Sequence, residues 1–530
     1  RGGFMIMIRG IMLLAIFLII YLQASVAQST TYYISPTGSD ANPGTSAKPW
    51  LTFAYAINSA RAWCGDTLTL LNGTYGDGTS TGKITVSGVV CTAGHELTIM
   101  AANQRQAKIN DNGSGRAVYV LNSAYITIDG LYARSTDNSG STSSGYPFFT
   151  NRNNHITLKN LVARNPNRYA NTHAIAVESS QDVLLEDNEA YVFHRHCVEA
   201  WVSERVVVRR QYCNPRGGRI SGGFAAANGL GKADAAVTMY PCRDCIQENT
   251  IADGTTNPMY LNEMNATFGA SILMSGSKVL GSICYKCDYA NGIYINSRKV
   301  ADLNHTPQNV IIRDVAFVDW NSNANGLRVS DGVNILLDHI TLLSTGGGVN
   351  GVVAEDTASG STPTTNSITM TNMLIAGLTT GTGFRVSNYN TWSGDKLFSN
   401  GNRAAFEASP PSNLTNISTK AHGMGTCKVW VPAGAAIKGT GTGGSDIGAN
   451  ILYRYINGVL TSTPLWNPKT GEFPHGAPDL DETNRVAGQS LFDIHTRLNV
   501  NTGGCSFPRN YGNDDSDTTL PAAPVGLRAS

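Results

Sequence analysis

The sequence predicts an all-β chain wound as a parallel β-helix solenoid, and three observations predict it. The composition is rich in turn formers and poor in charge: the 530 residues include 56 Gly, and 15% are charged, against about 25% in ordinary globular proteins. A strand–corner–strand pattern recurs along the chain. Each recurrence is too short to bury its own apolar face, so the units must stack.

At the N-terminus, Arg9 is followed by an apolar run, Ile11 to Leu22, and by the small residues Ser25-Val26-Ala27. This order reads as an export signal over residues 1–27, with the mature chain starting near Gln28. The run is short for a membrane span, which needs roughly 20 apolar residues. No membrane span is therefore expected after the signal is removed. Net charge is +1, so no strong field draws nucleic acid or an anionic membrane surface.

The segment that follows carries Phe53, Ala56, Ile57 and Ala60 on one helical face, ahead of a first strand at Thr67–Leu71. A solenoid end exposes apolar core and an open strand edge, and this helix is expected to cap it.

The coils come next. The pattern reads "ITIDGLYA" from Ile126, "ITLKNLVA" from Ile156, "VLLEDNEA" from Val183 and "VVVRRQYC" from Val206. It continues as "CIQENTIA" from Cys245, "VIIRDVAF" from Val310, "ILLDHITL" from Ile335 and "ITMTNMLI" from Ile368. The intervals are 30, 27, 23, 39, 65, 25 and 33 residues, and the 65 conceals a degenerate coil near "KVLGSICYKC". Each unit alternates with period two and turns at Asn, Asp or Gly, as strands joined by a corner do. About nine or more coils, each about 4.8 Å further along, give a rod on the order of 40 Å. Leucine-rich repeats lack support in the leucine and asparagine spacing, and a propeller blade needs four strands.

The stretches "YYISPTGSDANPGTSAKPWLTFAYAIN" and "GDTLTLLNGTY" resemble the entrance to the right-handed, pectate-lyase-like parallel β-helix proteins. The entrance covers roughly residues 32–75, and the coils extend the likeness to about residue 390. The resemblance implies an extracellular setting and one of several functions: polysaccharide lyase, glycoside hydrolase, epimerase, or non-enzymatic adhesin or fibre. It also implies calcium as a cofactor, since the pectate-lyase pattern pairs a calcium-binding acidic cluster with a basic residue. That cluster has no residue-by-residue match here, so the family's catalytic residues are not carried over.

The solenoid with its cap is expected over residues 28–400, and a C-terminal cap and tail over 401–530. The run "GTGTGGSDIG" lacks the strand before and helix after that a dinucleotide loop requires, so it reads as a loop. Ten cysteines suit disulfides in an oxidising compartment. Cys242/Cys245 and Cys284/Cys287 have zinc-site spacing too, but export favours disulfides. Cys427 with Cys505 is expected to pin the tail.

Aligned coils show which side chains share a face. "HAIAVESSQDV", "HCVEAWVSERV" and "AAVTMYPCRDC" align without gaps. Ile175, Val198 and Val237 form one inward column; Val177, Ala200 and Met239 form another. Ala176, Glu199 and Thr238 then point outward, as do Glu178, Trp201 and Tyr240, with His173 and His196 in a third outward column. Arg328 and Tyr294 fall in the Glu199 column. A one-residue slip would bury unpaired carboxylates, and its cost decides against that register.

Outward aromatics beside carboxylates and imidazoles suit a sugar cleft; plain surface decoration is the other reading. The insertion between Asn214 and Ala235 is expected to form a wall or a lid, with Arg216, Arg219, Lys232 and Asp234 as secondary contributors. For hydrolysis, Glu178 and Glu199 are the carboxylate pair, with Cα atoms roughly 8 Å apart. For β-elimination, His196 is the base, Tyr240 the acid, and Arg328 or calcium the neutraliser. Trp201, His173, Arg328 and Tyr294 are the candidate substrate-binding residues. His194 and His196 alone are too sparse for a metal site, and no metal ligand is assigned. Lys159, Glu186, Arg209, Glu248, Arg313 and Asp338 recur at one place with alternating sign and read as a structural charge ladder. The sequence thus predicts a secreted protein that binds, and as an enzyme cleaves, extracellular polysaccharide. The alternative is a non-catalytic adhesive or structural solenoid.

Overall fold

The computed structural model describes residues 29–511 except 59–60, 77–81, 112–114, 136–144, 165–172, 192, 194, 216–234, 255–256, 264–273, 288–290, 298–305, 321–324, 356–365, 388, 390, 407–413, 474–492, 499, 501–504 and 509–510. The expected export signal, His194, and the insertion residues Arg216, Arg219, Lys232 and Asp234 lie outside the described residues.

Successive coils pair strand on strand, all parallel, to make a β-helix. The face that matters for function runs from Ile84–Ser87 through Arg116–Leu121, Tyr146–Asn151, His173–Glu178, His196–Arg209 and Ala235–Arg243, and on to Ala404–Phe406. Twelve described strands form this ladder, about 53 Å along the axis. The rod exceeds the sequence estimate because the coils at both ends lack the apolar signature used to count them.

Every coil turns at the same place for a backbone reason. Gly130, Asn160, Asp187, Arg210, Asn249, Gly281 and Asp314 each follow a ladder-paired residue and have φ between 48° and 70°. This is the left-handed region that Gly, Asn and Asp enter most cheaply. The Asn, Asp and Gly of the repeat are therefore stacked corners. Inside, Val118, Phe148, Ile175, Val198 and Val237 stack as one fully buried column. A second corner closes with side-chain bonds from coil to coil: Asn153 Oδ1 accepts from the Ser123 amide, and Ser180 Oγ accepts from the Asn153 amide.

At the N-terminal end, the strand Thr31–Ile34 pairs with Thr67–Leu70. The helix expected as a cap is described only as a five-residue π-helical segment, Ala54–Asn58. Phe53, Ala56 and Ile57 are buried as the sequence requires, with Phe53 against Tyr75.

The segment after residue 420 runs back along the flank of the rod. Tyr455 donates its amide to Asn249 and its hydroxyl to Asp314. Asn457 and Gly458 donate their amides to the two oxygens of Glu248, each at 3.0 Å. Glu248 also binds Arg209, which reaches Glu186 at 3.0 Å and Asn457 at 2.6 Å. The centre of the charge ladder is thus buried under this strap. Arg313 pairs with Asp338 at 2.9 Å, and Lys159 with Asp129 at 3.3 Å. Five disulfides join Cys64–Cys91, Cys197–Cys213, Cys242–Cys245, Cys284–Cys287 and Cys427–Cys505. Both Cys-x-x-Cys pairs are disulfides, and the strap is pinned as the sequence suggests. Among the described residues, no helix is long and apolar enough to cross a membrane.

Candidate functional site

Register sets the site. His173 lies opposite His196, Ala176 opposite Glu199, and Glu178 opposite Trp201. One coil on, Thr238 follows Glu199 and Tyr240 follows Trp201. Tyr260, Tyr294 and Arg328 continue the Glu199 column. The aligned columns are therefore the observed ones.

Parallel pairing lays the two imidazoles flat against one another, with ring centroids 4.7 Å apart and planes 17° apart. Glu199 reaches across to both. His173 Nε2 donates to Glu199 Oε2 at 2.9 Å, and His196 Nδ1 stands 3.6 Å from Oε1. Tyr240 lies against His196 and Tyr146 against His173, with ring centroids at 5.7 and 5.6 Å. Asn151 donates to Glu178 at 3.4 Å. The disulfide Cys197–Cys213 anchors the start of this coil from inside.

One expectation changes. An open outer face was anticipated, but His173, His196, Glu199 and Tyr240 are all buried on the outward side of the sheet. Glu178 and Trp201 are half-buried and stand at the margin of this cluster. The Trp201 indole N–H is buried without a hydrogen-bond partner among the described residues. Val202, next in the chain, has φ 50°. It occupies a corner held left-handed on the preceding coils by Asn122, Arg152 and Ser179.

Burial sorts the two carboxyls into different states. Glu178 is pushed up to about 7 by burial and by the charge of Glu199, against the pull of Arg116. Burial also acts to raise Glu199, but the charge and hydrogen bonds of His173 and His196 outweigh it and hold Glu199 below the usual carboxylate range. Burial lowers His173 to about 4, against the stabilising charge of Glu199. At neutral pH the cluster is therefore a neutral His173 donating to an ionised Glu199, beside a Glu178 that exchanges its proton. Tyr146 is raised by burial and then by both carboxylates.

Arg328 and Tyr294 do not join this cluster. Arg328 is four coils from Glu199, about 19 Å along the axis. It pairs with Glu355 at 2.6 Å and lies over the Tyr294 ring at 5.2 Å. It therefore cannot neutralise a carboxylate held between His196 and Tyr240. The structure adds residues that the sequence reading missed. Tyr146 flanks His173, and Arg116 covers a stacked Tyr119–Phe149 pair one and two coils before it. Counting the columns back beyond His173 would have found them.

No family model matches the chain, and no curated protein matches it. Among solved structures, the catalytic unit of a thermostable GH87 α-1,3-glucanase from Streptomyces thermodiastaticus strain HF3-3 is similar over 75% of this chain and 68% of that chain, at 14% identity and TM-score 0.51. Pectate lyase Pel9A aligns over 80% of this chain and 96% of its own, at 12% identity and TM-score 0.36. A rhamnogalacturonan lyase aligns over 74% and 85%, at 13% identity and TM-score 0.31. The chain has a parallel β-helix fold, as the likeness to the glucanase catalytic unit and its own all-parallel strand pairing show. At such low identity the likeness concerns architecture, and the chemistry must be argued from the chain's own residues.

Proposed function

We propose that the protein is a secreted carbohydrate-active enzyme that binds and cleaves an extracellular polysaccharide, with Glu178 and Glu199 as its working carboxyl pair. The observation that carries this reading is the division of the pair into one carboxyl near 7 and one held ionised. Two carboxyls with separated proton affinities are what glycoside hydrolysis requires: one donates a proton to the leaving oxygen, and the other stays charged to assist attack or stabilise positive charge at the sugar. Glu178 is the proton donor and Glu199 the ionised partner, oriented by His173 and His196. Trp201 supplies an apolar face for a pyranose at the margin. Tyr294, Arg328 and the Arg116–Tyr119–Phe149 platform are spaced along the rod as distal subsites for a chain lying parallel to its axis. Five disulfides and the apolar N-terminal run support export. The glucanase that shares the fold acts on a glycan.

The test is a panel of neutral and uronate polysaccharides incubated with wild type, Glu178→Gln and Glu199→Gln. Hydrolysis releases reducing ends without ultraviolet-absorbing unsaturated products, and each variant loses at least about 100-fold in rate. Unsaturated products would select β-elimination, with His196 and Tyr240 as base and acid. Equal turnover by either variant removes that residue from the chemistry. No turnover on any glycan favours the adhesive or structural solenoid.

A further inference from the structure

We propose that His173, His196 and Glu199 bind one divalent cation of zinc's class. The ligand atoms these residues offer all lie within 4.8 Å of one another, and all three residues are buried. A tetrahedral cation with bonds of about 2.0–2.2 Å holds its ligand atoms about 3.4 Å apart. The two separations from Glu199, 2.9 and 3.6 Å, bracket that value.

The fold produces this convergence without a dedicated loop. Exact pairing of His173 with His196 places two imidazoles one coil apart on the same side. Glu199, from the neighbouring outward column, spans both. A plain hydrogen-bonded network accounts for the 2.9 Å contact with His173. His196 Nδ1 faces the other carboxylate oxygen at 3.6 Å, so both imidazoles aim a nitrogen at the same carboxylate. A cation lying among the three groups would take one nitrogen from each ring and one oxygen from Glu199.

The donor set selects the metal. Two imidazole nitrogens and one carboxylate suit zinc and its first-row neighbours. Calcium takes six to eight oxygen ligands, so the calcium implied by family resemblance is not held here. Three protein ligands also leave a coordination position open, as catalytic zinc sites do. The sequence reading weighed only His194 with His196 and assigned no metal ligand; the structure pairs His196 with His173, 23 residues earlier and one coil away.

The test uses tag-free full chain stripped with a chelator and titrated with Co²⁺ alone. Visible d–d absorption should rise to saturation at one equivalent, and one equivalent of Zn²⁺ should abolish it while Ca²⁺ does not. His173→Ala and Glu199→Gln should each bind Co²⁺ at least about tenfold more weakly, while the exposed Arg205→Ala binds as wild type. Far-UV circular dichroism checks that the variants fold. Should they not fold, the wild-type titration decides alone. No d–d absorption with wild type, or binding by either folded variant equal to wild type, overturns the proposal. The titration reads no cleavage, so failure of the glycan reading leaves it intact, and its own failure leaves that reading to the polysaccharide panel.

Discussion

Replacing Glu178 by Gln tests the electrostatics of the site without any substrate. The Glu178 carboxyl sits at about 7 in the folded chain against 4.5 for the free group, because burial and the Glu199 charge disfavour its ionised form. A carboxyl raised on folding binds its proton more tightly in the native state. Its ionisation therefore costs stability progressively as pH rises from about 4.5 to about 7, and the full cost is present above that. At about 1.4 kcal/mol for each tenfold change in proton affinity, the displacement corresponds to about 3 kcal/mol. The side chain is only half-buried, and discounting for solvent screening leaves about 2 kcal/mol. Gln keeps the shape and an oxygen to accept from Asn151, but never ionises. Glu178→Gln should therefore match wild type near pH 4 and exceed it by about 2 kcal/mol at pH 8. Denaturant titrations at a series of pH values read this as a midpoint difference that opens with pH. A difference constant with pH, or one of opposite sign, would show that Glu178 is not the strained carboxyl described here. The proposed role as proton donor would fall with it.

Three further outcomes follow from features outside the carboxyl pair. Glu248→Gln leaves Arg209 with Glu186 as its counter-charge and removes the carboxylate that accepts from the strap amides of Asn457 and Gly458, and should cost about 3 kcal/mol in chemical denaturation, the low end for broken buried ion pairs. Opening the Cys427–Cys505 bridge, whose cysteines are 78 residues apart, with Cys427→Ser and Cys505→Ser should cost about 4 kcal/mol by loop entropy. Limited proteolysis should then cut first after residue 420. Val202→Asn should stabilise the fold by about 1 kcal/mol, read as a raised melting temperature, because Asn tolerates the left-handed corner at φ 50° that a β-branched side chain resists.

The columns were legible because physics punishes the alternative register: slipping by one residue puts Glu178 and Glu199 among Val177 and Val198 in the core. The corners were legible because only a few residue types enter left-handed backbone cheaply. The strap was not. It has no period, and its anchors pair Tyr455 with Asn249 across 206 residues and Gly458 with Glu248 across 210. Local pattern holds no information about such partners. The same limit hid the burial of His196 and Glu199, since alternation tells which side of a sheet a residue faces and not what lies over it. Tyr146 was missed because its strand mixes Phe148 and Thr150 inward, which weakens the alternation by which coils are recognised.

The columns also bear on the choice between decoration and site. Decoration spreads along a solenoid, because every coil meets the same solvent. Here the two imidazoles of the three outward columns fall on adjacent coils, each with a carboxylate beside it, as His173 with Glu178 and His196 with Glu199, while Arg328 and Glu355 pair with one another further along the rod. One coil later the same positions hold Ala235, Thr238 and Tyr240; one coil earlier they hold Tyr146, Phe149 and Asn151. Burying these four groups together costs free energy that a solvated face never incurs. The cost is met locally, by the His173–Glu199 bond and by a proton on Glu178, which is the arrangement that chemistry or a cation exploits and packing alone does not require.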